Sequence, residues 1–156
     1  MRTYTRAMLF DFGMKFNTGY RTIQIGAAIQ NFGADVKFAR EDYPAPMILR
    51  LGIKGDLAGQ NALLYESQNN RITIDYDMIQ PNDYTRQAHL GLEYSLMEAV
   101  AIRAGYKFNY DSDGLTFGAG ANTDIAGANI SFDYSFGSMG EYLGNVHRLS
   151  LGVKLK

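Results

Sequence analysis

Apolar and polar residues alternate with a period of two along most of the chain. Side chains on a strand point to opposite faces in turn, so this period marks strands with one apolar and one polar side. In the first segment Met8, Phe10, Phe12, Met14 and Phe16 are separated by Asp11, Gly13 and Lys15. In the fourth, Ile72, Ile74, Tyr76 and Met78 are separated by Thr73, Asp75 and Asp77. The same reading places strands over residues 23–29, 47–53, 88–96, 100–108, 115–121, 128–136 and 149–155, nine in all, with no helix. Turn-forming residues fall between them, at Asn17-Thr-Gly19, 31–46, 69–70, 81–83, 111–114 and 137–145. The expected fold is an all-β, antiparallel, up-and-down meander of about nine long strands.

Alternation does not say what covers the apolar face: a soluble core or lipid. Strand length, the polar face and the aromatics favour lipid. A tilted strand needs about 9–11 residues to cross a bilayer, against about 5–6 for an average globular strand, and most segments reach the longer figure. The polar face carries Arg50, Lys54, Arg71, Asp75, Asp77, Glu93, Arg103, Lys107 and Asp133, beside Asp11 and Lys15, which suits a wet, charge-paired lumen. Aromatics crowd strand ends, as at Phe16, Tyr20, Tyr84, Tyr94, Phe108, Tyr110, Phe136 and Tyr142. The expectation is a transmembrane β-barrel. A soluble lipocalin-like barrel with the apolar face inward is the alternative.

Composition narrows the chemistry. The 156 residues have a net charge of -1, no cysteine, no tryptophan, 17 glycines, 11 tyrosines and 9 phenylalanines. No basic excess points to nucleic acid. Thiolate zinc sites, disulfides and cysteine nucleophiles are excluded. No run of about 20 apolar residues exists for a spanning helix. His89 and His147 are the only histidines and assemble no metal set by spacing. Asp75 and Asp77 share a face, but Arg50 and Lys54 on the neighbouring strand favour a salt-bridge network over paired catalytic acids. Asp111-Ser-Asp-Gly114 resembles the start of a calcium loop without its later ligands. Gly118-Ala-Gly120 precedes no helix and is no dinucleotide motif. No cofactor, metal or enzymatic activity is expected.

Several strings together resemble one family. They are Ala28-Ile-Gln-Asn-Phe-Gly33, Tyr43-Pro-Ala-Pro46 before Arg50-Leu-Gly52, Asp75-Tyr-Asp77 and Leu90-Gly-Leu-Glu-Tyr94. Ile102-Arg-Ala-Gly-Tyr-Lys107, Leu115-Thr-Phe-Gly-Ala-Gly120, Asp133-Tyr-Ser-Phe136 and His147-Arg-Leu-Ser-Leu151 complete the set. In that order they resemble the C-terminal portion of the PorV/PorQ family of outer-membrane barrels, which are similar to FadL-type, 14-stranded transporters. The resemblance implies a diderm outer membrane, a non-enzymatic role in type IX secretion, and secreted cargo or secretion-system components as partners. A FadL-like transporter of hydrophobic small molecules is the alternative within that fold. No export signal is visible near Met1, and nine strands break the even parity of bacterial barrels. The chain is therefore expected to be an N-terminally truncated piece of a single barrel domain, lacking about five strands.

Short joins near residues 18–19, 97–98 and 125–126 would be periplasmic, and residues 31–46, 81–86, 111–114 and 137–145 extracellular. The long 57–69 connection fits this orientation badly. Phe32, Phe38, Tyr43, Met139 and Tyr142 are the candidate apolar anchors for a protein partner on the extracellular loops. In one hairpin the register is fully specified. A three-residue loop from Met97 to Ala99 sets Glu93 opposite Arg103, Gly91 opposite Gly105 and His89 opposite Lys107.

Overall fold

The computed structural model describes residues 8–38, 41–110, 114–125, 127–138 and 144–155. Twelve strands run through them: β1 (Leu9–Asn17), β2 (Gln24–Gly33), β3 (Val36–Phe38), β4 (Glu41–Tyr43), β5 (Ile48–Gly59) and β6 (Tyr65–Glu66), then β7 (Asn70–Pro81), β8 (Gln87–Leu96), β9 (Val100–Phe108), β10 (Leu115–Ile125), β11 (Ala128–Ser138) and β12 (Asn145–Leu155). Nine of them, each 9–12 residues long, form one meander in the order β1-β2-β5-β7-β8-β9-β10-β11-β12. Every neighbouring pair along that path is antiparallel. The two-residue β6 joins the same sheet, pairing β5 in parallel, and β3–β4 form a separate hairpin. The sheet is not closed: β1 and β12 are its two ends.

Register keeps the two faces distinct. Across β11–β12, Ile130, Phe132, Tyr134 and Phe136 stand opposite Val153, Leu151, Leu149 and His147, while Ser131, Asp133 and Ser135 stand opposite Gly152, Ser150 and Arg148. The β8–β9 hairpin has the register expected from its loop, with Glu93 opposite Arg103, Gly91 opposite Gly105 and His89 opposite Lys107. A one-residue slip would send each apolar set to the polar side.

Among the described residues the only buried apolar side chains are Ala45, Ala58, Ala62 and Ala88. No large side chain is fully enclosed. Phe12, Ile102, Phe132 and Leu151 are exposed, Leu151 to 72 %, and Leu49 and Ile74 are half-exposed. Among the described residues, therefore, nothing packs on the apolar face. The opposite face is concave. A hollow of about 420 Å³ draws its lining from Asp75 on β7 through to Arg148 on β12.

The expected loops change in several places: β3 and β4 lie within 31–46, and β6 lies within 57–69. Phe32 belongs to β2, not to an extracellular loop: it pairs with Phe10 beyond a bulge between Phe10 and Phe12. Asn31 makes that bulge with φ 56°, and its amide donates to Asp11 Oδ1 at 2.7 Å. The connection expected from residue 57 begins only after Gly59 and folds compactly. Leu63 N donates to Asp56 O, Leu64 N to Leu57 O and Ser67 N to Gly59 O, at 2.8–3.1 Å. Arg21 Nη1 donates to Ala62 O at 2.8 Å and lies 3.5 Å from Glu66 Oε1. Backbone bonds to the end of β5 thus make this segment a folded connection, not a free loop.

The β8–β9 turn carries Met97 and Glu98 at φ 50° and 58°, with Ala99 N bonded to Leu96 O at 2.9 Å. Two successive left-handed residues suit Asn-Gly far better than Met-Glu. Asn69 O accepts from Met97 N at 2.6 Å, and Asn122 N donates to Ala99 O at 2.7 Å, so both neighbouring strands hold the turn. Replacing Met97-Glu98 by Asn-Gly should raise stability by about 0.5–1 kcal/mol. The check is a higher urea midpoint at unchanged slope for the chain in detergent micelles.

Candidate functional site

The polar side chains sit on alternate positions of β5 and β7–β12, and the concave curvature brings them together. Arg103 is the centre. Its Nε donates to Glu93 Oε2 on β8 at 2.6 Å, and its Nη1 to Asp133 Oδ1 on β11 at 2.7 Å. To reach Asp133 it crosses β10, where Gly118 and Gly120 present no side chain. A Cβ on Gly120 would lie 2.5 Å from Asp133 Oδ1 and 3.1 Å from Arg103 Nη1. One guanidinium thus ties three strands through a gap made by glycine.

The same device recurs. A Cβ on Gly91 would lie 2.5–2.8 Å from the Asp75 carboxyl atoms, and one on Gly105 would lie 2.7 Å from Thr116 Oγ1. The Asp77 carboxylate occupies the equivalent place over Gly52. Polar side chains lie flat across their neighbouring strands because glycine leaves their seats open.

At the long-loop end His89 Nε2 and Tyr110 Oη share a hydrogen bond of 2.7 Å, with the rings stacked at 5.4 Å. Lys107 Nζ lies 5.5 Å from the Tyr110 ring centre. At the short-turn end Thr73, 3 % exposed, donates to Asp56 Oδ1 at 2.7 Å, and Asp56 N donates to Thr22 Oγ1 at 2.8 Å.

The expected charge network is only partly assembled. Glu93, Arg103 and Asp133 form one unit, reaching a strand further than cross-strand pairing alone would carry it. Arg71 pairs instead with Glu98 in the β8–β9 turn, at 3.7 Å. Lys54 stands opposite Asp75, and Arg50 opposite Ile79, without ion pairs between Arg50 or Lys54 and Asp75 or Asp77. The two aspartates settle on glycines instead. Lys107 stands opposite His89 and beside Tyr110. Among the described residues no group of three or more His, Asp or Glu side chains is gathered for a metal.

Of the candidate anchors, Tyr43 is exposed at the end of β4. Phe38 lies in β3 with its side chain outside the described set, and Met139 and Tyr142 lie outside the described residues. Sequence reasoning grouped Tyr110 with the strand-end aromatics and missed it as a partner of His89 on the polar face. Period two would continue Tyr106 and Phe108 to Tyr110 on the apolar side, but Asn109, at φ 61°, turns the chain just before it. The glycines that alternate with charges were the visible signal for the flat seating.

In comparisons with protein-family models, curated proteins and solved structures, no match to the chain was found.

Gly91→Ala should destabilise the sheet by about 1–3 kcal/mol, because its methyl meets the Asp75 carboxylate. In Asp75→Gly the same substitution should cost much less, and a double-mutant cycle by urea unfolding in micelles checks the coupling. Arg103→Ala should cost about 1 kcal/mol at low salt and less at high salt, since all three partners are partly exposed.

Proposed function

We propose that this chain forms part of the wall of an outer-membrane β-barrel in a diderm bacterium, with its apolar face in lipid and its polar face on the lumen. The observation that carries the reading is the pairing of an uncovered apolar face with a concave polar face on strands of 9–12 residues. Strands of that length cross a bilayer when tilted. A lipid solvent explains why large apolar side chains stay outward while charges bind one another inward. In lipid an unpaired strand edge is untenable, so β1 and β12 each take a strand partner in the membrane.

Together with the resemblance to PorV/PorQ, this reading makes the protein a non-enzymatic component of type IX secretion that presents its long-loop rim to secreted cargo. The rim holds the β3–β4 hairpin and the loops after β7, β9 and β11. Transport of hydrophobic small molecules ranks second, because Asp75, Asp77, His89, Arg103, Lys107 and Arg148 line the hollow. A lipocalin-like binder ranks third: it would need the apolar face inward, and the hollow opens on the polar face.

The chain has no tryptophan, so one introduced indole reports cleanly. In vesicles, the fluorescence of Phe132→Trp should be quenched by brominated lipid, and that of Ser131→Trp should not. Equal quenching of both, or of neither, would sink the membrane reading. A photo-crosslinker at Tyr43 should capture secreted cargo domains in cells that carry the secretion system. Capture of no cargo would remove the secretion role and leave the barrel.

A further inference from the structure

The two open edges of the sheet are not alike. β12 pairs with β11 along its whole length without a shift of register, and no described strand pairs its other side. Every second residue of β12 therefore turns its N–H and C=O to an open flank. Its side chains show the same flank: Leu149, Leu151 and Leu155 are 69 %, 72 % and 80 % exposed, against 40 % and 46 % for Leu90 and Leu92 on the interior strand β8. β1 differs. Its pairing with β2 shifts at Phe10/Phe12, and its polar side mixes Asp11 with Lys15. The polar side of β12 carries Arg148, Ser150, Gly152 and Lys154, two cations and no acid.

Those cations meet no acid on the side already paired. Arg148 stands opposite Ser135 and Lys154 opposite Asn129. Asp133, the one acid of β11, is held by Arg103. The interior cations Arg71 and Arg103 each have a carboxylate, whereas Arg148 and Lys154 form no ion pair among the described residues. Opposite charges on facing strands stabilise a sheet and like charges destabilise it, so the open flank of β12 selects acids. A second copy does not supply them. An even number of antiparallel steps separates β1 from β12, so the two strands run the same way. A copy in the same membrane orientation offers only parallel seams, and its own β12 brings the same two cations.

We propose that the free edge of β12 is the docking site for an antiparallel strand of different sequence with an acidic polar face. One carboxylate stands opposite Lys154 and a second, six residues on, opposite Arg148. Apolar residues between them face Val153, Leu151 and Leu149, and small residues face Gly152 and Ser150. The partner motif reads acid, apolar, small, apolar, small, apolar, acid. Main-chain bonds supply the affinity of such an edge, and alternate side chains supply the choice of partner. The inference rests on the membrane reading above, which gives β12 a strand partner, and adds the chemistry of that partner.

The chain has no cysteine, so Leu151→Cys places a single thiol on β12. The full chain in phosphatidylcholine vesicles is oxidised with the peptide Glu-Leu-Ser-Cys-Thr-Leu-Glu, whose thiol this register sets opposite residue 151. The control peptide carries Lys in place of both Glu. Phe132→Trp quenching by brominated lipid is read in matched vesicles. The expected result is quenching, and about tenfold more mixed disulfide with the acidic peptide at low salt. That preference should shrink at high salt and vanish when Arg148→Ser and Lys154→Ser are combined. Equal yields from the two peptides, or a preference that survives both serines, overturns the acidic partner. A disulfide between two chains that excludes the peptide overturns it in favour of a second copy. No disulfide with either peptide, with quenching intact, overturns the docking edge and leaves the membrane reading standing. Absence of quenching overturns both.

Discussion

The backbone ladder between neighbouring antiparallel strands is the interaction on which everything else here depends. An ordinary domain buries an apolar core, and the core decides which strands meet. Among the described residues, only four alanines are enclosed apolar side chains. Nine long strands nevertheless pair side by side from β1 to β12, with shifts of register only at Phe10–Phe12 and Asp56–Ala58. Their N–H and C=O groups satisfy one another from strand to strand, the condition a hydrocarbon solvent imposes. The same ladder leaves β1 and β12 with one unpaired side each.

Cross-strand chemistry then gives the two faces different tasks. On the apolar side, like meets like at every described pair of β11–β12 except at Phe136–His147, and that exception lies near the rim. On the polar side the ordering principle is glycine. Arg103 reaches two strands away only because Gly118 and Gly120 leave room, and Asp75 and Asp77 occupy seats that any Cβ would fill. Deleting side chains from alternate positions lets charged groups lie along the wall. It also keeps the hollow between β7 and β12 open.

The two ends of the sheet are built differently. At the short-turn end the connections bind one another: Arg21 to the 60–69 segment, Asn69 to the Met97 turn, and Asn122 to Ala99. At the long-loop end Asn82 holds Met47 O and Ala45 O, and Asn109 holds Arg86 O. The separate β3–β4 hairpin extends from this end.

The nine long strands, their faces and the β8–β9 register were legible in the sequence, because period-two patterning and a three-residue loop are local properties that side-chain alternation enforces; the short β3, β4 and β6 were not. The grouping of Glu93, Arg103 and Asp133 was legible only as a shared polar face. Which charges pair was decided by the tertiary structure, since reaching across β10 depends on curvature and on which neighbours are glycine. Local pattern misled at Tyr110 and Phe32, because a bend or a bulge interrupts the alternation at each. The 57–69 segment looked like a misplaced long loop because its order comes from backbone bonds to the end of β5, which no side-chain pattern records. What covers the apolar face lies in neither the alternation nor the chain's own contacts. Alternation makes such a face, and the open, coreless sheet leaves it to the surrounding solvent, because period-two order has the same form whether the apolar side meets a core or lipid.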